Sequence, residues 1–182
     1  MVTKVVNLFG ASGVGKSTTA AATFAKFKMA GRHTELVSEY VKTMAWEQRL
    51  PGKFDQAYIF GKQARRESIL YDKVDYIITD SPLWLSAFYE QRYVGKEIIS
   101  PAVHNFMDYA QENGVIHHNF WLRRNKPYDT RGRFESEEGS KENHKLLRSF
   151  LDKHKVPLIE VPTTDEERAE FIFNYFEKVI EV

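Results

Sequence analysis

The run Gly10-Ala11-Ser12-Gly13-Val14-Gly15-Lys16-Ser17-Thr18 fits the pattern G-x-x-x-x-G-K-[ST] in full. Its setting fits as well. Val2 to Phe9, before it, is apolar and reads as a buried strand, and the alanine-rich stretch after Lys16 reads as a helix. In such a loop the glycines let successive backbone N–H groups turn inward around a phosphate, and the lysine neutralises the β- and γ-phosphates. The residues expected to hold a triphosphate are Gly10, Ser12, Gly13, Val14, Gly15, Lys16, Ser17 and Thr18, with the Ser17 hydroxyl on Mg²⁺. A glycine turn with an exposed lysine could match the same pattern, but seldom between a strand and a helix. Binding of a nucleoside triphosphate is the first expectation.

Outward from the loop, strands and helices alternate. Val2–Phe9 is too short for a helix and lacks strict alternation, as expected for a strand buried on both faces of a parallel sheet. Helix one is expected over Lys16 to Ala30, with apolar contacts from Ala20, Ala21, Phe24, Ala25 and Phe27, and Gly31 as its C-cap. Thr34–Val37 is the second strand. A weak helical pattern over Val41–Leu50 ends at Pro51-Gly52, and a longer helix is expected over Phe54–Tyr71, with Tyr58, Ile59, Ala64 and Ile69 as its apolar positions. Val74–Thr79 is the third strand, followed by helices over Leu83–Tyr93 and Pro101–Asn113, and Val115–Leu122 is the fourth. Arg123 to Gly139 is charged, glycine-containing and poor in aliphatics, and reads as a mobile surface segment before a helix that ends near Lys155. Val156–Val161 is the fifth strand, and Thr164 with Glu167 forms a capping box for a last helix over Asp165–Glu181. This order implies a three-layer α/β architecture around a parallel sheet of about five strands, in a single domain spanning residues 1–182.

Composition narrows the function classes. With 182 residues the chain can bury a real core, and 42% hydrophobic with 28% charged residues is ordinary for a globular protein. A net charge of +1 gives no global pull toward nucleic acid or acidic membranes, though a local basic patch stays open. The absence of cysteine excludes disulfides, thiolate metal sites and cysteine nucleophiles. No apolar run reaches the ~20 residues of a membrane helix, and the chain enters its first strand at once, so a reducing, cytoplasmic setting without membrane attachment is expected.

Several side chains are placed to act on the triphosphate. Asp80 follows the third strand, where ligands of open α/β sheets gather, and would hold Mg²⁺ beside Ser17; an N-cap role is the plainer alternative. Glu39 follows the second strand and faces the same crevice, where a carboxylate could take a proton from an acceptor hydroxyl or orient it. Asp129, Arg131 and Arg133 lie in the charged segment, with Gly132 as its pivot; guanidiniums suit a flap that closes over a moving phosphoryl group. Arg123 and Arg124 begin that segment and are weaker candidates. Gln56 and Gln63 share a helix face and could read a nucleobase edge, and Arg66 could reach a substrate phosphate. Tyr58, Phe60 and Trp84 could stack a base or simply fill the core. His117 and His118 point to opposite strand faces, show no metal-ligand spacing and read as structural.

With the loop, Glu39, Asp80 and the post-strand-four arginines in this order, the chain resembles the small P-loop kinases of nucleosides and nucleotides. It is similar in particular to the kinase group that includes the nicotinamide-riboside kinase domain. Ser38-Glu39-Tyr40-Val41, Phe54-Asp55-Gln56, Asp80 with Ala87-Phe88, and Pro127-Tyr128-Asp129 through Arg131-Gly132-Arg133 carry that resemblance. Related phage enzymes act on hydroxymethyl pyrimidines within DNA. The resemblance implies a P-loop NTPase fold, ATP with Mg²⁺, a closing lid over about 123–139, and an acceptor that is a nucleoside, a nucleotide or modified DNA. It admits a homodimer, and a host cytoplasm for a phage-encoded chain. In one place the chain departs: deoxynucleoside kinases usually carry an arginine directly after the strand-three acid, and here Ser81 stands there.

The leading expectation is a kinase moving the γ-phosphate of ATP onto a hydroxyl or phosphate, with Lys16, Glu39, Asp80, Arg131 and Arg133 as catalytic residues. In the DNA alternative, Arg123, Arg124, Lys126, Arg131 and Arg133 would line a basic groove. An ATP-hydrolysing switch that acts on a partner is the reading from another class.

Overall fold

A computed structural model describes residues 1–124, 127–129, 131, 135–162, 164 and 167–180. Strands β1 (Thr3–Phe9), β2 (Thr34–Val37), β3 (Tyr76–Thr79), β4 (Val115–Leu122) and β5 (Ile159–Val161) hydrogen-bond in the order β2-β3-β1-β4-β5. Every pair is parallel, with Asn7 beside Thr79 and Phe9 beside Trp121. The chain builds one side of the sheet and then crosses to the other, so the order reverses at β1. A crevice opens at the carboxyl end of such a switch strand, and the P-loop leaves β1 there.

Strand parity fixes the two faces. Val6, Leu8, Phe120 and Leu122 pack with α1 (Lys16–Met29) and α7 (Arg168–Ile180). Phe9 and Trp121 point the other way, toward α3 (Asp55–Ser68), α4 (Trp84–Val94), α5 (Ile99–Glu112) and α6 (Glu137–Lys153). A short helix, α2 (Val41–Trp46), stands between β2 and α3. His117 and His118 split between the faces as expected: His117 approaches Glu67 of α3, and His118 approaches Tyr175 of α7. Phe27 of α1 anchors its layer, edge-on to Tyr76, Phe173 and Phe176 at 4.8, 5.2 and 5.9 Å.

Two helices turn different faces inward from those expected. On α1 the buried stripe is Thr19, Ala20, Thr23 and Phe27, while Ala21 and Ala25 face solvent. Methyl side chains are indifferent enough to exposure that the helical spacing from Phe27, not alanine content, sets the face. On α3 the buried set is Gln56, Ile59, Gln63, Ala64 and Glu67, whereas Tyr58 and Ile69 are 47% and 40% exposed. Ile59 and Ala64 are buried as expected, but the rest of that inner stripe is polar, so hydrophobicity alone finds only part of it. Phe60 and Trp84 belong to the core, against Phe106 and Phe150.

Element ends shift more than element order. β3 begins at Tyr76 and β5 at Ile159, each later than expected. Glu137–Gly139, expected in the mobile segment, form the first turn of α6, where the Gly139 amide donates to the Ser136 side chain at 3.1 Å. Thr164 and Glu167 do meet, Thr164 Oγ1 donating to Glu167 Oε2 at 3.1 Å, and α7 follows from Arg168. Arg133, Gly132, Lys126 and Asp165 lie outside the described residues. Among the described residues no helix is long and apolar enough to cross a membrane.

Candidate active site

A loop that offers N–H groups to a ligand must send its carbonyls elsewhere, and here four of those destinations are visible. Lys16 Nζ donates to the carbonyls of Gly10 and Ala11, at 2.8 and 3.1 Å. The Ser12 carbonyl accepts from Ser140 Oγ at 2.6 Å and from Arg124 Nη2 at 2.9 Å. The Val14 carbonyl accepts from Arg168 Nη1 at 2.7 Å, and the same guanidinium bonds the Arg123 carbonyl. On the amide side, Ala11 N donates to His144 Nδ1 at 3.3 Å. That imidazole, packed on Trp121, is held down to about 4 by burial and then by Lys16 and Arg124, so it keeps the lone pair this bond needs.

Backbone conformation completes the cradle. Gly10, Gly13 and Gly15 have φ of 145°, 82° and 96°. A Cβ on Gly10 would lie 2.6 Å from Val14 Cγ2 and 3.0 Å from the Leu122 carbonyl, so both conformation and space demand glycine. Gly15 caps α1 with no side-chain hydrogen bond, and the first turn has no acidic residue. The first amides of α1 are therefore open to an anion, and the helix dipole favours one.

Beside the loop, Ser17 Oγ donates to Asp80 Oδ2 at 2.5 Å, and the Glu39 amide donates to Asp80 Oδ1 at 2.9 Å. Asp80 thus ties the ends of β2 and β3 to the first turn of α1. A serine hydroxyl and a carboxylate are hard oxygen donors suited to Mg²⁺, which keeps few protein ligands and takes the rest from phosphate and water. Among the described residues no group of three or more His, Cys, Asp or Glu side chains could hold a metal. Glu39 keeps a partly exposed surface but is densely surrounded. Burial raises its carboxyl above the ordinary value; Lys16 draws it back, and Asp80 raises it again.

Part of this set lines a cleft of about 640 Å³, while Gly10, Val14 and Asp80 stand outside its lining. Of the sequence-derived candidates, Ser12, Gly13, Gly15, Lys16, Ser17, Thr18, Glu39, Gln56 and Arg131 line it. Arg131 is 86% exposed and grips the Asp129 carboxylate, with Nη2 at 2.8 Å from Oδ2. Gln63 and Arg66 sit outside the lining: Gln63 Oε1 takes the Tyr40 amide at 3.2 Å, and Arg66 Nη1 donates to the Ser38 carbonyl at 3.3 Å. Both brace the turn that carries Glu39.

The sequence reading missed part of the lining. Tyr89, Tyr93 and Glu135 form one wall, with the tyrosine rings stacked 5.9 Å apart and 3° from parallel. Glu135 Oε1 accepts from Tyr93 and Asn143 at 3.2 and 2.9 Å, and the Tyr89 phenol is pushed well above its ordinary value by burial and then by Glu135 and Glu39. The opposite wall carries Lys42, Trp46, Leu50 and Lys53. No local motif announces any of these. Arg124, ranked low in the sequence, turns out to brace the P-loop, while Arg123 is 72% exposed and pairs with Glu160 at 3.1 Å.

Fold and site together define a P-loop phosphate-binding α/β protein. A family model described as AAA domain matches residues 5–169, and the chain belongs to that family. No curated protein matches it in sequence. Among solved structures, deoxyadenosine kinase from M. mycoides with dCMP and a flexible dCDP bound is similar at 17% identity and TM-score 0.57, over 96% of this chain and 99% of that one. APS kinase of Mycobacterium tuberculosis is similar at 15% identity and TM-score 0.53, over 97% and 98%. At such identities the likeness is one of fold, and the fold is that of P-loop kinases.

Proposed function

We propose that the protein is an ATP-dependent kinase that transfers the γ-phosphoryl group to a hydroxyl or phosphate of a nucleoside, nucleotide or nucleotide-like acceptor, with residues 1–182 as one kinase domain. The observation that carries this is the Ser17–Asp80–Glu39 linkage, which sets a carboxylate of raised basicity beside the mouth of the P-loop. The fold of the kinases named above supports it.

In this reading the P-loop amides and Lys16 bind the β- and γ-phosphates, and Ser17 with Asp80 would hold Mg²⁺, which would supply charge neutralisation there. Glu39 accepts the proton of the attacking hydroxyl, a role that its raised pKa favours. Gln56 orients the acceptor from the cleft wall, and Gln63 and Arg66 hold the Glu39 turn in place. Arg131, and Arg133 by its place in the sequence, meet charge on the transferring group. Assay of ATP and Mg²⁺ against nucleosides, their monophosphates and hydroxymethyl-containing DNA tests the proposal. ATP consumption indifferent to every acceptor would replace the kinase with an ATPase.

A surface beside the cleft favours one narrower reading, a phage-type kinase of hydroxymethyl pyrimidines in DNA. Between Val41 and Arg66 the chain carries Lys42, Arg49, Lys53, Lys62, Arg65 and Arg66 against only Glu47 and Asp55. Trp46, Phe54 and Tyr58 are exposed among them. Interleaved cations and aromatic faces suit a single strand.

A further inference from the structure

Lysines that line a cleft without an ion pair of their own ask for an anion from outside. Elsewhere on this surface several lysines are matched: Lys26 with Glu170 at 2.5 Å, Lys28 with Glu35 at 3.5 Å, and Lys141 with Glu137 at 2.9 Å. Lys42 and Lys53, both lining the cleft, form no hydrogen bond or ion pair with the described residues, although the charge of Lys42 reaches Glu39 and draws its carboxyl down. The cleft lining as a whole holds Lys16, Lys42, Lys53 and Arg131 against Glu39 and Glu135, in a chain whose net charge is +1. Cations gathered on one concave wall concentrate positive potential there. A neutral nucleoside leaves that potential unused, whereas a phosphate answers it. Trp46, 66% exposed and lining the same cleft between the two lysines in sequence, offers a flat ring a stacking partner.

We infer that the acceptor already carries a phosphate, as a phosphomonoester or a phosphodiester, held by Lys42 and Lys53 while Trp46 stacks on its ring and Glu39 faces the accepting hydroxyl. This rests on the kinase reading and narrows it. The hydroxyl oxygen bonds to the γ-phosphorus, and the bond from that phosphorus to the β–γ bridging oxygen breaks. ADP leaves, the hydroxyl proton passes to Glu39, and the phosphate already on the acceptor is unchanged.

Calorimetric titration at low salt tests the site without relying on turnover. The ligands are the four common deoxynucleosides, their 5′-monophosphates and a short single-stranded oligonucleotide. At least one phosphate-bearing ligand should bind about tenfold more tightly than the matching nucleoside, on the order of 1.4 kcal/mol. Preference for the monophosphate identifies a free nucleotide as the source, and preference for the oligonucleotide identifies a strand; either supports the inference. Lys42→Gln and Lys53→Gln should each weaken that binding by about three- to fivefold, additively in the double variant, with ADP affinity unchanged. Lys42→Arg should restore most of the loss. Nucleosides binding as tightly as monophosphates, no binding by any phosphate-bearing ligand, or a double variant that keeps the wild-type preference would each overturn it. Phosphate-dependent binding without transfer from ATP would instead overturn the kinase reading and leave this site standing.

Discussion

The two halves of the cleft follow opposite building rules. On the donor side the carbonyls of Gly10, Ala11, Ser12 and Val14 are each held by a side chain, three of those holders coming from far along the sequence. The wall from α2 and the following turn, proposed for the acceptor, carries exposed side chains, with Trp46 and Leu50 at 66% and 69%. Triphosphate chemistry is the same for every donor, so a fixed cradle loses nothing by being fixed. An acceptor site has to suit one molecule, and its side chains can be exchanged without disturbing the core.

Substitutions on the two sides should therefore fail differently. The largest effect belongs to Lys16→Ala, which should lower kcat/KM for ATP-dependent transfer by about 10³-fold, at the level of removing a main charge-stabilising donor. Steady-state kinetics measures this, and a loss under tenfold would move the donor elsewhere.

On its inner face α3 buries Glu67, whose carboxyl accepts from Tyr71 at 2.6 Å and lies 3.8 Å from His117. Burial pushes Glu67 up to about 7 and His117 down to about 4. The raised acid contributes stability that is whole below about pH 4.5 and is lost as pH rises toward 7. The depressed histidine contributes stability that is whole above about pH 6.5 and is lost as pH falls toward 4. In the native chain the two trends largely offset. Glu67→Gln removes one, so its stability relative to the native chain should fall by about 3 kcal/mol between pH 7 and pH 4. Urea melts across that range check it, and a constant difference would mean that Glu67 titrates alike in the folded and unfolded chain.

Smaller effects test the lid and the walls. Arg131→Ala should reduce kcat by about 10²-fold with little change in ATP affinity; an unchanged kcat would leave Arg131 and Asp129 as a surface pair. Ser140→Ala, which strips one bond from the Ser12 carbonyl, should weaken ADP binding about fivefold in a calorimetric titration. Trp46→Ala should leave thermal stability within about 0.5 kcal/mol while raising acceptor KM, as an exposed site allows. A large drop in Tm would make Trp46 structural.

Much of this was legible from residue order. The P-loop, Glu39 and Asp80 each follow a strand at the same sheet edge, and strand order with parallel pairing brings them together without any further signal. α3 was misread for a plain reason. Gln56, Gln63 and Glu67 lie on its inner stripe, and a buried polar face has the same composition as a wet one. Tyr89, Tyr93, Glu135 and Arg168 were invisible because their roles come from tertiary approach across the sheet. Of these, Arg168 is the extreme case, 1% exposed with its guanidinium on backbone carbonyls of β4's end and the P-loop.

That arginine also couples two distant parts of the chain. Val14 and Arg168 are separated by 154 positions, so a loosening of the first turn of α7 would reach a P-loop carbonyl directly, without passing through the sheet.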